Sequence, residues 1–127
     1  MRVLLIEDDS ATAQSIELML KSENFNVYVT DLGEEGIDLG KLYDYDIILL
    51  DLNLPDMSGI DILEKVKTNP HTKRLPVIVL TTTDDEREIQ RCYDLGANVY
   101  ITKPVDYDSF AHAIRQLGLF FSVMQVP

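Results

Sequence analysis

The chain has 127 residues, with 11 Lys and Arg against 22 Asp and Glu and a formal net charge of −11. Its length fits one domain, its 46% hydrophobic and 26% charged residues fit a folded globular chain, and its acidity disfavours contact with nucleic-acid phosphates or anionic lipid. No apolar run approaches the ~18–20 residues of a bilayer span; Val3–Ile6 runs straight into charge, unlike a secretory signal; and a lone Cys92 cannot form an internal disulfide, so a reducing, cytoplasmic setting is expected.

Short apolar runs at Val3–Ile6, Val27–Val29, Ile47–Leu50, Val77–Leu80 and Val99–Ile101 predict strands of a parallel sheet covered on both faces. The second run is the weakest and suits an edge. Between them lie helical stretches. Ile16, Met19 and Leu20 form the apolar stripe of a first helix that Asp9 or Ser10 can cap. Leu32, Ile37 and Leu39 predict a short second helix interrupted by Gly33, Gly36 and Gly40. A third, carrying Ile60, Ile62, Leu63 and Val66, starts after Ser58-Gly59. Asp84-Asp85 can cap a fourth, which holds Ile89, Cys92, Tyr93 and Leu95 and stops at Gly96. Phe110, Ile114, Leu117 and Phe121 share one face of a fifth. Alternating β-α units of this length predict an open α/β sheet with right-handed crossovers. The stretch Thr68–Arg74 reads as a solvated surface loop.

In open parallel sheets ligands bind beyond the carboxyl ends of the strands. The first strand delivers Glu7, Asp8 and Asp9 there, the third Asp51, the fourth Thr81-Thr82-Thr83 and the fifth Lys103-Pro104. Crowded carboxylates raise a pKa or demand a cation, and oxygen ligands with room for water suit Mg²⁺. A lysine is a point charge suited to a phosphoryl oxygen. A carboxylate nucleophile, a divalent ion, a lysine and a hydroxyl make a phosphoryl-transfer set, with Asp51 the natural nucleophile at the sheet centre.

Four linked blocks, Leu5–Asp9, Leu50–Gly59, Val79–Thr81 and Tyr100–Pro104, resemble the receiver domain of two-component response regulators over about residues 1–117. The resemblance implies a (βα)₅, flavodoxin-like fold with strand order 2-1-3-4-5. It also implies that Asp51 accepts a phosphoryl group from the phosphohistidine of a sensor histidine kinase or a histidine phosphotransfer protein. Mg²⁺ would be held by Asp8 and Asp51 directly, by Glu7 through a water, and by the main-chain carbonyl of Asn53. Thr81 and Lys103 would contact the phosphoryl group, with Lys103-Pro104 a cis peptide. Tyr100 would be the switch aromatic that turns inward with Thr81, changing the face of helix four, strand five and helix five. Asn53 and Thr83 would tune the lifetime of the phosphate. The protein would be a phosphoacceptor with at most slow self-phosphorylation from small donors and slow autodephosphorylation, not an enzyme. Residues 1 to about 63 look like receivers of the winged-helix regulators of the bacterial cell cycle. Residues from about 66 to 127 look like stand-alone regulators of bacterial phytochromes. Either one lineage or an engineered chimera would give that pattern.

The segment 118–127, Gly-Leu-Phe-Phe-Ser-Val-Met-Gln-Val-Pro, is too apolar for a small domain to cover alone, and homodimerisation through helix five and this tail is expected. With about ten residues after helix five, no DNA-binding effector is expected. Output is then expected through a partner, through dimerisation, or through a domain cut away. Cys92 reads as a small apolar filler, His71 and His112 as uninvolved, and the acids starting helix four as dipole complements. Three rivals are weaker. An aspartyl-phosphate phosphatase wants a second acid where Asn53 stands, and a flavodoxin-type nucleotide site would be repelled by Glu7-Asp8-Asp9. A receiver-fold module acting without phosphorylation would not need this set of residues.

Overall fold

The computed structural model describes residues 2–82, 85–103, 105–113, 115 and 116. Strands β1 (Arg2–Ile6), β2 (Asn26–Thr30), β3 (Ile47–Asp51), β4 (Val77–Thr81) and β5 (Val99–Thr102) form one parallel sheet in the order β2-β1-β3-β4-β5. Helices α1 (Ser10–Ser22), α2 (Gly33–Leu42), α3 (Gly59–Thr68) and α4 (Glu86–Asp94) connect them. Residues 107–113, 115 and 116 are helical after β5 and constitute α5. Every expected strand is present, lengthened by one or two residues, and the weak run at Val27–Val29 is indeed on an edge. The expectations for Thr83, Asp84, the Lys103-Pro104 peptide, Ile114, Leu117, Phe121 and the tail 118–127 lie outside the described residues.

Two cores follow from the period-two alternation of the strands. Leu4, Ile6, Ile48, Leu50, Val77 and Val79 face α2, α3 and α4, where Ile37, Ile62, Leu63, Val66 and Cys92 meet them. Val3, Leu5, Ile47, Leu49, Ile78, Leu80 and Ile101 face α1 and α5, where Ile16, Leu20, Phe110 and Ala113 meet them. β3 and β4 are buried along their whole length, so the sheet centre has no room for a charge except at its rim. Asp9 caps α1, Ser58 caps α3 and Asp85 caps α4, each side chain accepting a main-chain N–H of the first turn. Gly96 ends α4 with φ of +107°, a conformation that favours glycine.

Two expectations need correction. Helix α2 is not interrupted by its glycines but runs unbroken through Gly33, Gly36 and Gly40, all buried. A Cβ on Gly36 would come within 2.5 Å of Ile6 Cδ1, and one on Gly33 within 2.7 Å of Met57 Cγ. Each glycine costs up to about 1 kcal/mol of helix propensity, and the close approach of helix to sheet offsets it. Nor is the stretch Thr68–Arg74 simply solvated. Thr72 is buried and donates to the Val66 carbonyl at 2.7 Å, while Lys67 Nζ donates to the Leu75 carbonyl at 2.8 Å.

Candidate metal and phosphoryl site

Because all five strands point the same way, their carboxyl ends form one rim. β1 runs straight into Glu7 and Asp8, and β3 ends in Asp51, which pairs in register with Leu80. β4 ends in Thr81, opposite Thr102, and the chain continues from β5 to Lys103. The Lys103 N–H donates to the Thr81 carbonyl at 2.7 Å, carrying the ladder one residue past the strand and turning the lysine over the rim.

The result is one cluster. Glu7, Asp8 and Asp51 each offer a carboxylate oxygen within 4.8 Å of the others. Lys103 Nζ lies 2.7 Å from Glu7 Oε1 and 3.1 Å from Asp51 Oδ1. Asp51 and Glu7 are almost fully buried, at 0% and 1% exposure, while Asp8 is exposed. Glu7 Oε2 and Asp51 Oδ2 are buried without a hydrogen-bond partner. Such orphaned acceptors are costly, and a single lysine leaves three carboxylates with a net charge of −2.

The titration of these groups follows from that crowding. Burial, then the neighbouring Asp51 carboxyl, pushes Glu7 up to about 7, against the weaker pull of Lys103. Burial also works to raise Asp51. The Glu7 carboxyl, the Asn53 N–H and Lys103 outweigh it and hold Asp51 below the usual carboxylate range. Asp8 is raised, first by desolvation and then by Asp51. Burial opposes the charge on Lys103, but Glu7 and Asp51 dominate and its pKa rises. Glu7 thus holds the proton that a bound cation would displace.

The loop after β3 shapes the mouth. The Asn53 N–H donates to Asp51 Oδ1 at 3.0 Å, fixing that oxygen and leaving Oδ2 for a ligand. An antiparallel bridge between Asn53 and Ser58 closes the loop, and the Gly59 N–H donates to the Leu52 carbonyl at 3.0 Å. Gly59 lies so near Leu52 that a Cβ there would collide with the Leu52 main chain. Across the mouth, Asn53 Nδ2 donates to Thr82 Oγ1 at 3.4 Å.

The structure gathers Glu7, Asp8, Asp51 and Lys103 into direct proximity and sets buried Thr81 and exposed Asn53 beside them. Tyr100 stands apart. It is 36% exposed and its ring packs edge-to-face on Tyr93, centroids 5.9 Å apart. A contact that no local pattern announces is made by Asp56, whose carboxylate accepts the N–H groups of Gly33 at 2.9 Å and Glu34 at 3.1 Å. The weak signal for it was the lack of a capping side chain at Leu32. A cleft of about 400 Å³ lined by Glu7, Asp8, Glu17, Asp31 and Glu35 adjoins the cluster. A larger one of about 640 Å³ is lined by Arg2, Tyr28, Tyr43 and Tyr45 against β2 and holds none of these groups.

Donor chemistry and geometry fit a hard divalent cation. Every carboxylate of the cluster offers oxygen, two of those oxygens are orphaned, and Asp8 is exposed to water. No helix among the described residues is long and apolar enough to cross a membrane.

The response regulator receiver domain family matches residues 3–115. The cell cycle response regulator CtrA of Brucella ovis is 58% identical over 117 residues, covering 92% of this chain and 50% of that protein. The chain therefore spans about half the length of such curated relatives. A crystal structure of a response regulator receiver domain from Rhodospirillum rubrum is 55% identical, with a TM-score of 0.79, and covers 100% of this chain and 97% of that one. The receiver domain of the sensor histidine kinase PA1611 from Pseudomonas aeruginosa, solved with a magnesium ion coordinated in its active-site cleft, is 26% identical. It superposes with a TM-score of 0.82 over 91% of this chain and 94% of that one. Sheet order, rim chemistry and these likenesses agree: this chain belongs to the response regulator receiver domain family of two-component signalling.

Proposed function

We propose that this receiver accepts a phosphoryl group on Asp51 from the phosphohistidine of a sensor kinase or histidine phosphotransfer protein. One observation carries the reading: a buried aspartate at the sheet centre, ionised by its neighbours, with one oxygen pinned by the Asn53 N–H and the other without a donor. In this reading Asp51 forms a new O–P bond as the phosphohistidine N–P bond breaks, and the proton required by the departing imidazole comes from solvent or the donor. Lys103, already ion-paired to Asp51, follows the charge onto a phosphoryl oxygen. Asp8, Asp51, Glu7 through a water, and the Asn53 carbonyl would hold Mg²⁺, which when bound neutralises charge on the transferring group.

The output would be a shift between two conformations of the α4-β5-α5 face, with Thr81 drawn to the phosphoryl group and Tyr100 leaving its packing on Tyr93. Asn53 and Thr83 would set the lifetime of the phosphate. α5 and the apolar segment 118–127 would supply a homodimer contact. Intact mass after incubation with acetyl phosphate tests the central claim. The expected result is a gain of one phosphoryl group that requires Mg²⁺ and is absent in Asp51→Asn. A folded wild-type protein labelled by neither acetyl phosphate nor a phosphorylated histidine donor would overturn it in favour of a binding module that acts without phosphorylation.

A further inference from the structure

We propose that Asp56 is a positioning residue for the phosphoacceptor, acting through the loop between β3 and α3; the proposal rests on the phosphoacceptor reading of Asp51. Helix α2 begins after Leu32, which has no side-chain oxygen to take up the first N–H groups. Those of Gly33 and Glu34 are instead met by the two carboxylate oxygens of Asp56, from 23 and 22 residues away in sequence. The bond is charge-assisted, and these two amides hold the Asp56 carboxyl below its usual range. Met57 packs beneath the same turn, so close to Gly33 that no Cβ fits between them. The loop tip is therefore fastened to α2 by a polar pair and an apolar wedge.

The base of the loop is fastened by the Asn53–Ser58 bridge and by Gly59 on Leu52. What this loop presents to the site is Asn53, whose N–H selects Asp51 Oδ1. With its tip released, the loop is held only by that single bridge and the Gly59 contact, so the Asn53 N–H is fixed less firmly against Asp51 Oδ1. Asp51 Oδ1 then keeps only its ion pair with Lys103, and the carboxylate is oriented by one partner instead of two. Asp56 touches neither the phosphoryl group nor the cation; it sets the orientation of the residue that orients the nucleophile.

Three variants and two readouts decide this. Asp56→Ala removes both acceptors, and Asp56→Asn keeps one carbonyl oxygen. Thr72→Val removes the buried hydrogen bond to Val66 at the far end of the sheet and serves as a stability control. Amide hydrogen exchange at Asn53, followed by NMR, is expected to quicken about ten-fold in Asp56→Ala, with Mg²⁺ affinity by calorimetry falling about three-fold, less than the ~10–100-fold of groups that touch a metal ligand directly. Asp56→Asn should recover part of both, and Thr72→Val should leave both at wild-type values. Unchanged Asn53 exchange and Mg²⁺ affinity in folded Asp56→Ala, or equal losses in Thr72→Val, would overturn the proposal. Acetyl phosphate labelling of the wild-type protein is run alongside. Its absence sinks the phosphoacceptor reading, while Asn53 exchange still reports on Asp56.

Discussion

Lys103 stands nearer to Glu7, at 2.7 Å, than to Asp51, at 3.1 Å. The cation of the site thus pairs most closely with the acid that is not the proposed nucleophile. Buried ion pairs are strongly destabilising when one member is removed. Lys103→Ala is expected to cost about 3–5 kcal/mol at pH 8 without divalent ions, because Glu7 and Asp51 are left as uncompensated buried charges. Urea melts with and without millimolar Mg²⁺ check this. Mg²⁺ should restore part of the loss, and equal midpoints for variant and wild type would show that the pair carries no net stability.

Glu7 gives the metal site a pH dependence. Its carboxyl is raised from 4.5 to about 7 in the folded protein, so the stability it contributes is present below pH 4.5 and lost as pH rises through about 7. Asp51 has the opposite sign: its lowered value contributes stability above its ordinary 3.8 that is lost only at more acidic pH, outside this window. A cation must displace the Glu7 proton at low pH but finds a ready carboxylate at pH 8. The rise in Tm given by Mg²⁺ should therefore be larger at pH 8 than at pH 5.5. Paired thermal melts read it directly, and a pH-independent rise would count against Glu7 as the proton holder.

Removing the proposed phosphoacceptor should relax its neighbour. Asp51 is the largest influence on Glu7 after burial, through the close approach of the two carboxyls and through like charge. In Asp51→Asn the Glu7 carboxyl is expected to titrate below about 7, which carbon-detected NMR of the side chain can follow. The same variant is expected to take up no phosphoryl group from acetyl phosphate.

Two glycine substitutions separate helix propensity from close packing. At Gly40 a Cβ would find Thr72 Cγ2 at 3.4 Å and Leu4 Cδ2 at 3.9 Å, near ordinary contact. Gly40→Ala should be neutral or stabilising by up to about 1 kcal/mol. At Gly59 the collision is with the Leu52 main chain, which cannot swing aside. Gly59→Ala should cost about 1–3 kcal/mol and disturb the loop that bears Asn53. Chemical denaturation of the two variants side by side gives the comparison.

The strands and the rim were legible because both are written locally. Val77–Leu80 and Ile47–Leu50 have no polar residue to turn outward, so only a doubly covered sheet accommodates them. The acids and lysine stand at run ends, where a parallel sheet must bring them to one side. What stayed hidden depends on contacts distant in sequence. Gly36 reads as a helix breaker until Ile6 is placed beneath it. Thr72 reads as loop polarity until Val66 offers its carbonyl. Asp56 caps a helix that starts 23 residues before it, and no window of local pattern spans that distance. The outward packing of Tyr100 on Tyr93 is likewise decided by α4, not by its own strand.

The far end of the sheet, where Thr72 and Lys67 fasten the stretch before β4, is tied from both sides: Asn98 accepts the Val77 N–H at 3.0 Å through its side chain and returns its own N–H to the Val77 carbonyl at 2.9 Å. The rim end holds the orphaned oxygens instead. The molecule is thus like a tuning fork, with its ties at the base satisfied and unsatisfied oxygens at the prongs. In the proposed reading, a charge gained by Asp51 would act at the end that holds the unsatisfied buried oxygens, away from the end that Thr72, Lys67 and Asn98 tie down. Under the proposed phosphoacceptor function, such a signal would be read on the adjoining helix faces without the sheet itself having to yield.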